Sequence, residues 1–175
     1  FPEFQDKEKD FPPAPLADRM RPRKLVDLLG QENLIGEGKP LLKLITGKSN
    51  FSFILWGPPG TGKTTIARLV ASISENEFHE ISAVNAGVSE IRKVILQAKK
   101  TWNLSKRGSV LFIDEIHRLN KSQQDSVLPH VENGTIRLIG STTENPSFEV
   151  IPALRSRCQV FRLEPLSKND MRSLL

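Results

Sequence analysis

The residues Gly57-Pro58-Pro59-Gly60-Thr61-Gly62-Lys63-Thr64 match the spacing G-x-x-x-x-G-K-T, between an apolar run at 51–56 and a helix-forming stretch at 63–74. Strand, glycine-rich loop and helix in that order constrain this chain more than anything else in it. The glycines let the backbone wrap until its N–H groups converge, and the following helix adds its positive N-terminal end. A phosphate chain fits such a cradle. Lys63 is placed to reach β and γ phosphates, and Thr64 to offer its hydroxyl to magnesium. The residues expected to hold ATP here are Gly57, Pro58, Pro59, Gly60, Thr61, Gly62, Lys63, Thr64 and Thr65. A glycine-rich turn of structural use alone is set aside because motif and flanking context agree.

A loop of this kind sits in a parallel sheet, and the rest of the chain alternates accordingly. Short apolar runs at 51–56, 78–81, 110–113, 136–140 and 159–163 read as five strands. Between them, 63–74, 89–102, 122–132 and 147–154 carry helix formers or apolar spacing suited to crossing back over a sheet. The expectation is an α/β P-loop NTPase fold with a five-stranded parallel sheet flanked by helices. Asn133-Gly134 mimics a hairpin turn, and Pro129 and Pro152 interrupt helical patterns; both helices are kept, with kinks or early ends. At 175 residues the chain has room for one main core. Residues 1–15, with four prolines and little periodicity, read as a flexible lead-in, and 16–166 as the nucleotide-binding domain. Ser167 with Asp170 resembles a capping box, so 167–175 is expected to begin a helical lid whose remainder lies beyond the chain.

The strand at 110–113 runs into Asp114-Glu115. Carboxylates at the end of a buried strand are costly to desolvate unless a cation or polar reaction centre meets them. About fifty residues after a phosphate loop they read as a Walker B element. Asp114 then anchors magnesium, directly or through water, and Glu115 polarises a water for in-line attack. Asp114-Glu115-Ile116-His117 also spells the D-E-x-H of a helicase group, but such motors need a second RecA-like domain and different flanking motifs, and neither is expected from these residues.

Composition narrows the setting. No apolar run approaches the roughly 18 residues of a membrane helix, and residues 1–10 mix acids and lysines rather than forming an export signal. One cysteine, Cys158, and three scattered histidines offer neither a disulfide nor zinc-ligand spacing, which fits a reducing compartment. The net charge of +5 is concentrated: between 88 and 108 lie Arg92, Lys93, Lys99, Lys100, Lys106 and Arg107 against Glu90 alone. That stretch is either a phosphate-binding patch for nucleic acid or a solvated helix face.

Beyond the loop, the strand at 136–140 leads into Ser141-Thr142-Thr143-Glu144-Asn145-Pro146, and Ser156-Arg157-Cys158 follows. Together with the phosphate loop, these residues resemble an AAA+ ATPase of the clamp-loader clade. The resemblance makes Thr143 the best match to the polar residue that senses the γ phosphate, with Thr142 and Asn145 as neighbours able to share the role. It makes Arg157 a finger that reaches a neighbouring subunit's ATP in trans, with Arg155 a weaker candidate. Arg19-Met20-Arg21-Pro22 and Leu28-Leu29-Gly30-Gln31 resemble the segment that wraps adenine, which adds Met20, Arg21, Pro22 and Leu29 to the nucleotide set.

The stretches 15–22, 81–84, 117–125 and 142–148 are similar to the RarA/MgsA family, whose eukaryotic member is the Werner-helicase-interacting protein. The similarity covers about Pro15 to Leu166. It implies a replication-fork maintenance, recombination and repair ATPase, oligomeric, binding DNA forks, gaps, ends or junctions and meeting single-strand-binding protein. Cytoplasmic, nucleoid-associated localisation follows from the same resemblance. The zinc module of clamp-loader subunits and the zinc finger of the eukaryotic relative have no counterpart, since both require several cysteines. The second reading is a nucleotide-dependent scaffold or clamp-loader-like subunit with little turnover of its own.

Overall fold

Ser52–Trp56 (β1) is apolar from Phe53 onward, and it is paired on both sides, which places it inside the sheet rather than at an edge. In the computed structural model, which describes residues 21, 22, 24, 27–46 and 51–173, its partners are all parallel. The other strands are Glu77–Ser82 (β2), Ser109–Asp114 (β3), Arg137–Thr142 (β4) and Cys158–Arg162 (β5), in the spatial order β2-β3-β4-β1-β5. Each agrees with a sequence-predicted strand to within two residues. The helices are Glu32–Ile35 (α1), Pro40–Thr46 (α2), Lys63–Ile73 (α3), Val88–Ser105 (α4), Lys121–Glu132 (α5), Pro146–Glu149 (α6), Pro152–Arg155 (α7) and Lys168–Ser173 (α8).

Alternation along the strands divides the core in two, because successive side chains point to opposite faces. Phe53, Leu55, Val110, Phe112 and Ile139 face α2 and α3. Ile54, Leu111, Ile113 and Leu138 face the other way, onto Ile91 and Ile95 of α4, Val127 of α5 and Leu154 of α7. Both layers are buried: Phe53 and Phe112 on one side and Ile54 and Leu111 on the other are fully buried, and Phe53 meets Phe161 edge-on at 5.8 Å. Each such side chain contributes roughly 1.5–3 kcal/mol of transfer free energy, and covering both faces is what an all-parallel sheet requires.

Two features of the sequence act differently from their local appearance. Asn133-Gly134 is a helix stop and not a hairpin: Gly134 has φ 75° and its N–H donates to the Val131 carbonyl at 3.3 Å. Pro129 stays inside α5, on a turn where Asp125 and Pro129 are both exposed, so water can serve the carbonyl that loses its partner. The helix expected over 147–154, with a kink or early end at Pro152, is broken outright. It is two short helices, α6 and α7, separated at Val150 and Ile151 in extended conformation. Pro152 disfavours a helical Ile151, and the Ile151 N–H donates instead to Oε1 of buried Gln124 at 2.8 Å.

The expected capping box opens α8: Ser167 N–H donates to Asp170 Oδ2 at 2.8 Å and Asp170 N–H to Ser167 Oγ at 3.1 Å. The lead-in expected over 1–15 and the Met20 assignment lie outside the described residues. Among the described residues no helix is long and apolar enough to cross a membrane.

Candidate functional site

Because all five strands run the same way, whatever follows β1, β3 and β4 meets at one end of the sheet. An open parallel sheet places ligands outside those carboxyl ends. A cleft of about 470 Å³ lies there. The loop after β1 supplies Pro59, Gly60, Gly62, Lys63, Thr64 and Thr65; Asp114 and Glu115 come from the end of β3; Ser141, Thr142 and Thr143 from the end of β4; and Arg21 closes one side.

The loop holds its shape for identifiable reasons. Gly62, the residue before α3, has φ 89°, a left-handed conformation that a side chain resists. Gly57 is required by close approach, since a Cβ there would lie 2.8 Å from the Leu163 carbonyl oxygen. Its N–H donates to the Thr142 carbonyl at 3.1 Å, so Gly57 belongs to the wall behind the cleft rather than to its lining. Pro58 is exposed and turns its carbonyl inward, where it accepts from Lys63 Nζ at 2.7 Å and from Thr61 Oγ1 at 2.9 Å. Lys63 Nζ also donates to the Gly57 carbonyl at 2.8 Å. Burial pushes the Lys63 ammonium below the usual lysine value, while the Asp114 carboxylate pulls it back up.

The Walker B end is built by hydrogen bonds between neighbouring strands. Ser141, fully buried, donates its hydroxyl to Asp114 Oδ1 at 2.5 Å and accepts the Glu115 N–H at 3.2 Å. Glu115 itself has φ 53° and ψ 49°, left-handed for a residue with a side chain. Thr142 Oγ1 lies 3.0 Å from His117 Nδ1 and accepts the Glu144 N–H at 3.0 Å. Asn145 caps α6 by accepting the Ser147 N–H at 2.9 Å. Of the three polar residues expected near a γ phosphate, Thr142 and Thr143 line the cleft, but the Thr142 hydroxyl is engaged with His117 and Glu144 and Asn145 caps α6.

A smaller hollow of about 180 Å³ shares Gly60, Gly62 and Thr65 with the cleft and brings in Pro22, Leu28, Leu29 and Leu166. Its apolar walls suit a planar base, and they contain two of the residues assigned to adenine, Pro22 and Leu29. Gln31, fully buried, anchors this side: its Nε2 donates to the Glu164 carbonyl at 2.8 Å and lies 3.4 Å from that of Thr61.

Arg157 is elsewhere. Cys158 pairs with Ser52 and Arg162 with Trp56, so Arg157 precedes β5 at the end of the sheet opposite the cleft. A five-residue strand spans roughly 16 Å, too far for one side chain to bridge. Its guanidinium donates to Glu132 Oε1 at 3.0 Å from Nη2 and 3.2 Å from Nε. Arg155 donates to the Ser147 carbonyl at 2.6 Å. Burial pushes the adjoining Cys158 thiol up to about 12, so it stays protonated and unreactive near neutral pH.

The donor set fits a magnesium–triphosphate. The first turn of α3 has no acidic residue to oppose an anion, one ammonium and a threonine hydroxyl project from it, and two carboxylates face it. Sequence reading missed Ser141, His117 and Gln31 as supports of this site. The available signal was a serine ending a buried strand, and its value depends on β4 lying beside β3.

The family model described as "ATPase family associated with various cellular activities (AAA)" matches residues 53–166. The chain is 52% identical to replication-associated recombination protein A of Escherichia coli strain K12 over 161 residues, 92% of this chain and 36% of that protein. It is 51% identical to the protein of the same name from Haemophilus influenzae, over 98% of this chain and 38% of the relative. The chain is also 51% identical to ATPase WRNIP1 of Dictyostelium discoideum, over 97% of this chain and 19% of that protein. The chain thus spans less than two fifths of these curated relatives. Among solved structures, the Thermotoga maritima RuvB Holliday junction branch migration motor superposes with a TM-score of 0.70 at 30% identity, over 89% of this chain and 52% of that one.

Proposed function

The chain belongs to the ATPase family associated with various cellular activities, and from that premise we propose that it is the ATP-hydrolysing core of a DNA-dependent ATPase acting in replication-fork maintenance, recombination and repair. One observation carries the catalytic part: Lys63, Thr64, Asp114, Glu115 and Thr143, from three segments far apart in sequence, line a single cleft. The DNA part is supported by the relatives, named for replication-associated recombination, and by the structural neighbour, named a Holliday junction branch migration motor.

In this reading Gly60 to Thr65 bind the phosphates through backbone N–H groups, and Lys63 leaves the loop carbonyls to pair with the β and γ oxygens. Magnesium bound with ATP supplies neutralisation of the charge on those phosphates. Thr64 and Asp114 are the side chains that would hold it. Glu115 orients a water and draws on its proton, Thr143 hydrogen-bonds the γ phosphate, and Pro22 and Leu29 cover the base. Arg157 works on a neighbouring copy's cleft, because it cannot reach its own. Single-strand-binding protein is the protein partner in this proposal, and the fuller assembly a homo-oligomer.

Lys63→Ala and Glu115→Gln test the reading in a titration with a fluorescent ATP analogue followed by phosphate release with and without forked DNA. Lys63→Ala is expected to weaken nucleotide binding or abolish turnover, and Glu115→Gln to bind normally and stall. Normal DNA-stimulated hydrolysis by Lys63→Ala would overturn the assignment.

A further inference from the structure

A second groove, of about 460 Å³, lies at the end of the sheet away from the nucleotide cleft, where α4 and α5 finish and β3 and β4 begin. Its walls hold Lys99, Trp102, Asn103, Arg107 and Asn133. Trp102 is 53% exposed, unusual for so large an apolar ring, and Lys106 Nζ sits 5.7 Å from its centroid. Arg107 is fixed by its Nε, which donates to the Glu75 carbonyl at 3.1 Å, leaving its terminal amino groups for other partners. Asn133 accepts from the N–H and hydroxyl of Thr135 through Oδ1, which orients its amide nitrogen the other way.

We propose that this groove binds single-stranded DNA, with Trp102 as the platform on which a base stacks and Lys99, Lys106 and Arg107 as the phosphate contacts. The proposal rests on the DNA-dependent reading above and adds a location to it. Three considerations select this ligand. Among the described residues no carboxylate pairs with any of the three cations. Two helix ends face the groove, but each brings only about half a negative charge, less together than three full positive ones. Its lining is short of apolar depth: Ala98 and Trp102 are the apolar side chains in it, which suits a flat base better than the anchoring side chain of a protein segment. An exposed aromatic ring among cations, with two amides at its edge, is the combination that holds unpaired bases without strict sequence preference.

The test is a fluorescence-anisotropy titration of labelled oligothymidylate with the chain over a range of salt. Trp102→Ala is expected to weaken binding at least about five-fold, since stacking on one aromatic ring is worth that much or more, and Trp102→Phe to restore it. Lys99→Glu combined with Arg107→Glu is expected to flatten the salt slope by about one unit or more. Affinity for a fluorescent ATP analogue, read at the other end of the sheet, should be unchanged in all three, which separates a lost site from a lost fold. If the unsubstituted chain binds the oligonucleotide and these variants bind it equally well, the groove is not the site, although the DNA reading stands. Failure of the unsubstituted chain to bind at low salt overturns both. Preferential binding of polyglutamate, lost in the same variants, assigns the groove to an acidic protein segment and overturns the proposal.

Discussion

Glu115 occupies a conformation that costs a residue with a side chain about 1–2 kcal/mol, and one hydroxyl supports it. Ser141 accepts the Glu115 N–H and donates to Asp114, so a single buried atom sets both the turn after β3 and the orientation of the carboxylate beside it. Ser141→Ala is therefore expected to lower kcat about ten- to a hundred-fold, the equivalent of a hydrogen bond to a charged group, while leaving the nucleotide Kd within about two-fold. Comparing kcat with the Kd of an ATP analogue checks it; parallel losses in both would mean that Ser141 only keeps the fold. At this scale the sequence was eloquent about residues whose chemistry is local. The P-loop spacing needs only its own neighbours to be read, and the Asp114-Glu115 pair only its strand and the phosphate loop that precedes it. Ser141, His117 and Gln31 were silent, because each acts on a residue 25 or more positions away, and their meaning appears only once strands are ordered.

Elements follow the same division between local and distant causes. The strands were legible since apolar runs bounded by loops have few other readings. Over 147–154 Pro152 announced a kink or early end, but the full break into two helices was not legible, because it also depends on Gln124 of α5 capturing the Ile151 N–H. α5 also carries Glu132, the partner of Arg157, so its placement matters at both ends. Its start is fixed by a reciprocal cap: Asn120 Oδ1 accepts the Gln123 N–H and Gln123 Oε1 accepts the Asn120 N–H, each at 2.8 Å. Asn120→Ala should cost about 1 kcal/mol, a fall of roughly 2–4 °C in Tm for a domain of this size. A thermal melt in the absence of nucleotide measures it, and an unchanged Tm would show that the cap adds nothing to the packing of the helix.

For the molecule as a whole, the parallel sheet holds the cleft at one end and Arg157 at the other, and the proposed reading gives each end its own role in a reaction shared between copies. The ion pair that holds Arg157 is weak, since both partners are about half exposed, and such surface pairs contribute about 0.2–1 kcal/mol. Exchange of Glu132 for a neighbour's phosphates therefore costs little, and an arginine meeting developing phosphate charge is worth about 10³–10⁵ in rate. A protomer alone lacks that arginine at its own cleft. Specific ATPase activity is thus expected to rise with protein concentration and then level off, and Arg157→Ala to hold it at the low-concentration value. Mixing provides the sharper measurement. Glu115→Gln supplies an arginine but no working cleft, and Arg157→Ala a cleft but no arginine, so the two impaired proteins together should exceed the sum of their separate activities. Recovery requires that the two groups act across a boundary between copies; activity independent of concentration, with no recovery on mixing, would place the whole reaction within one chain.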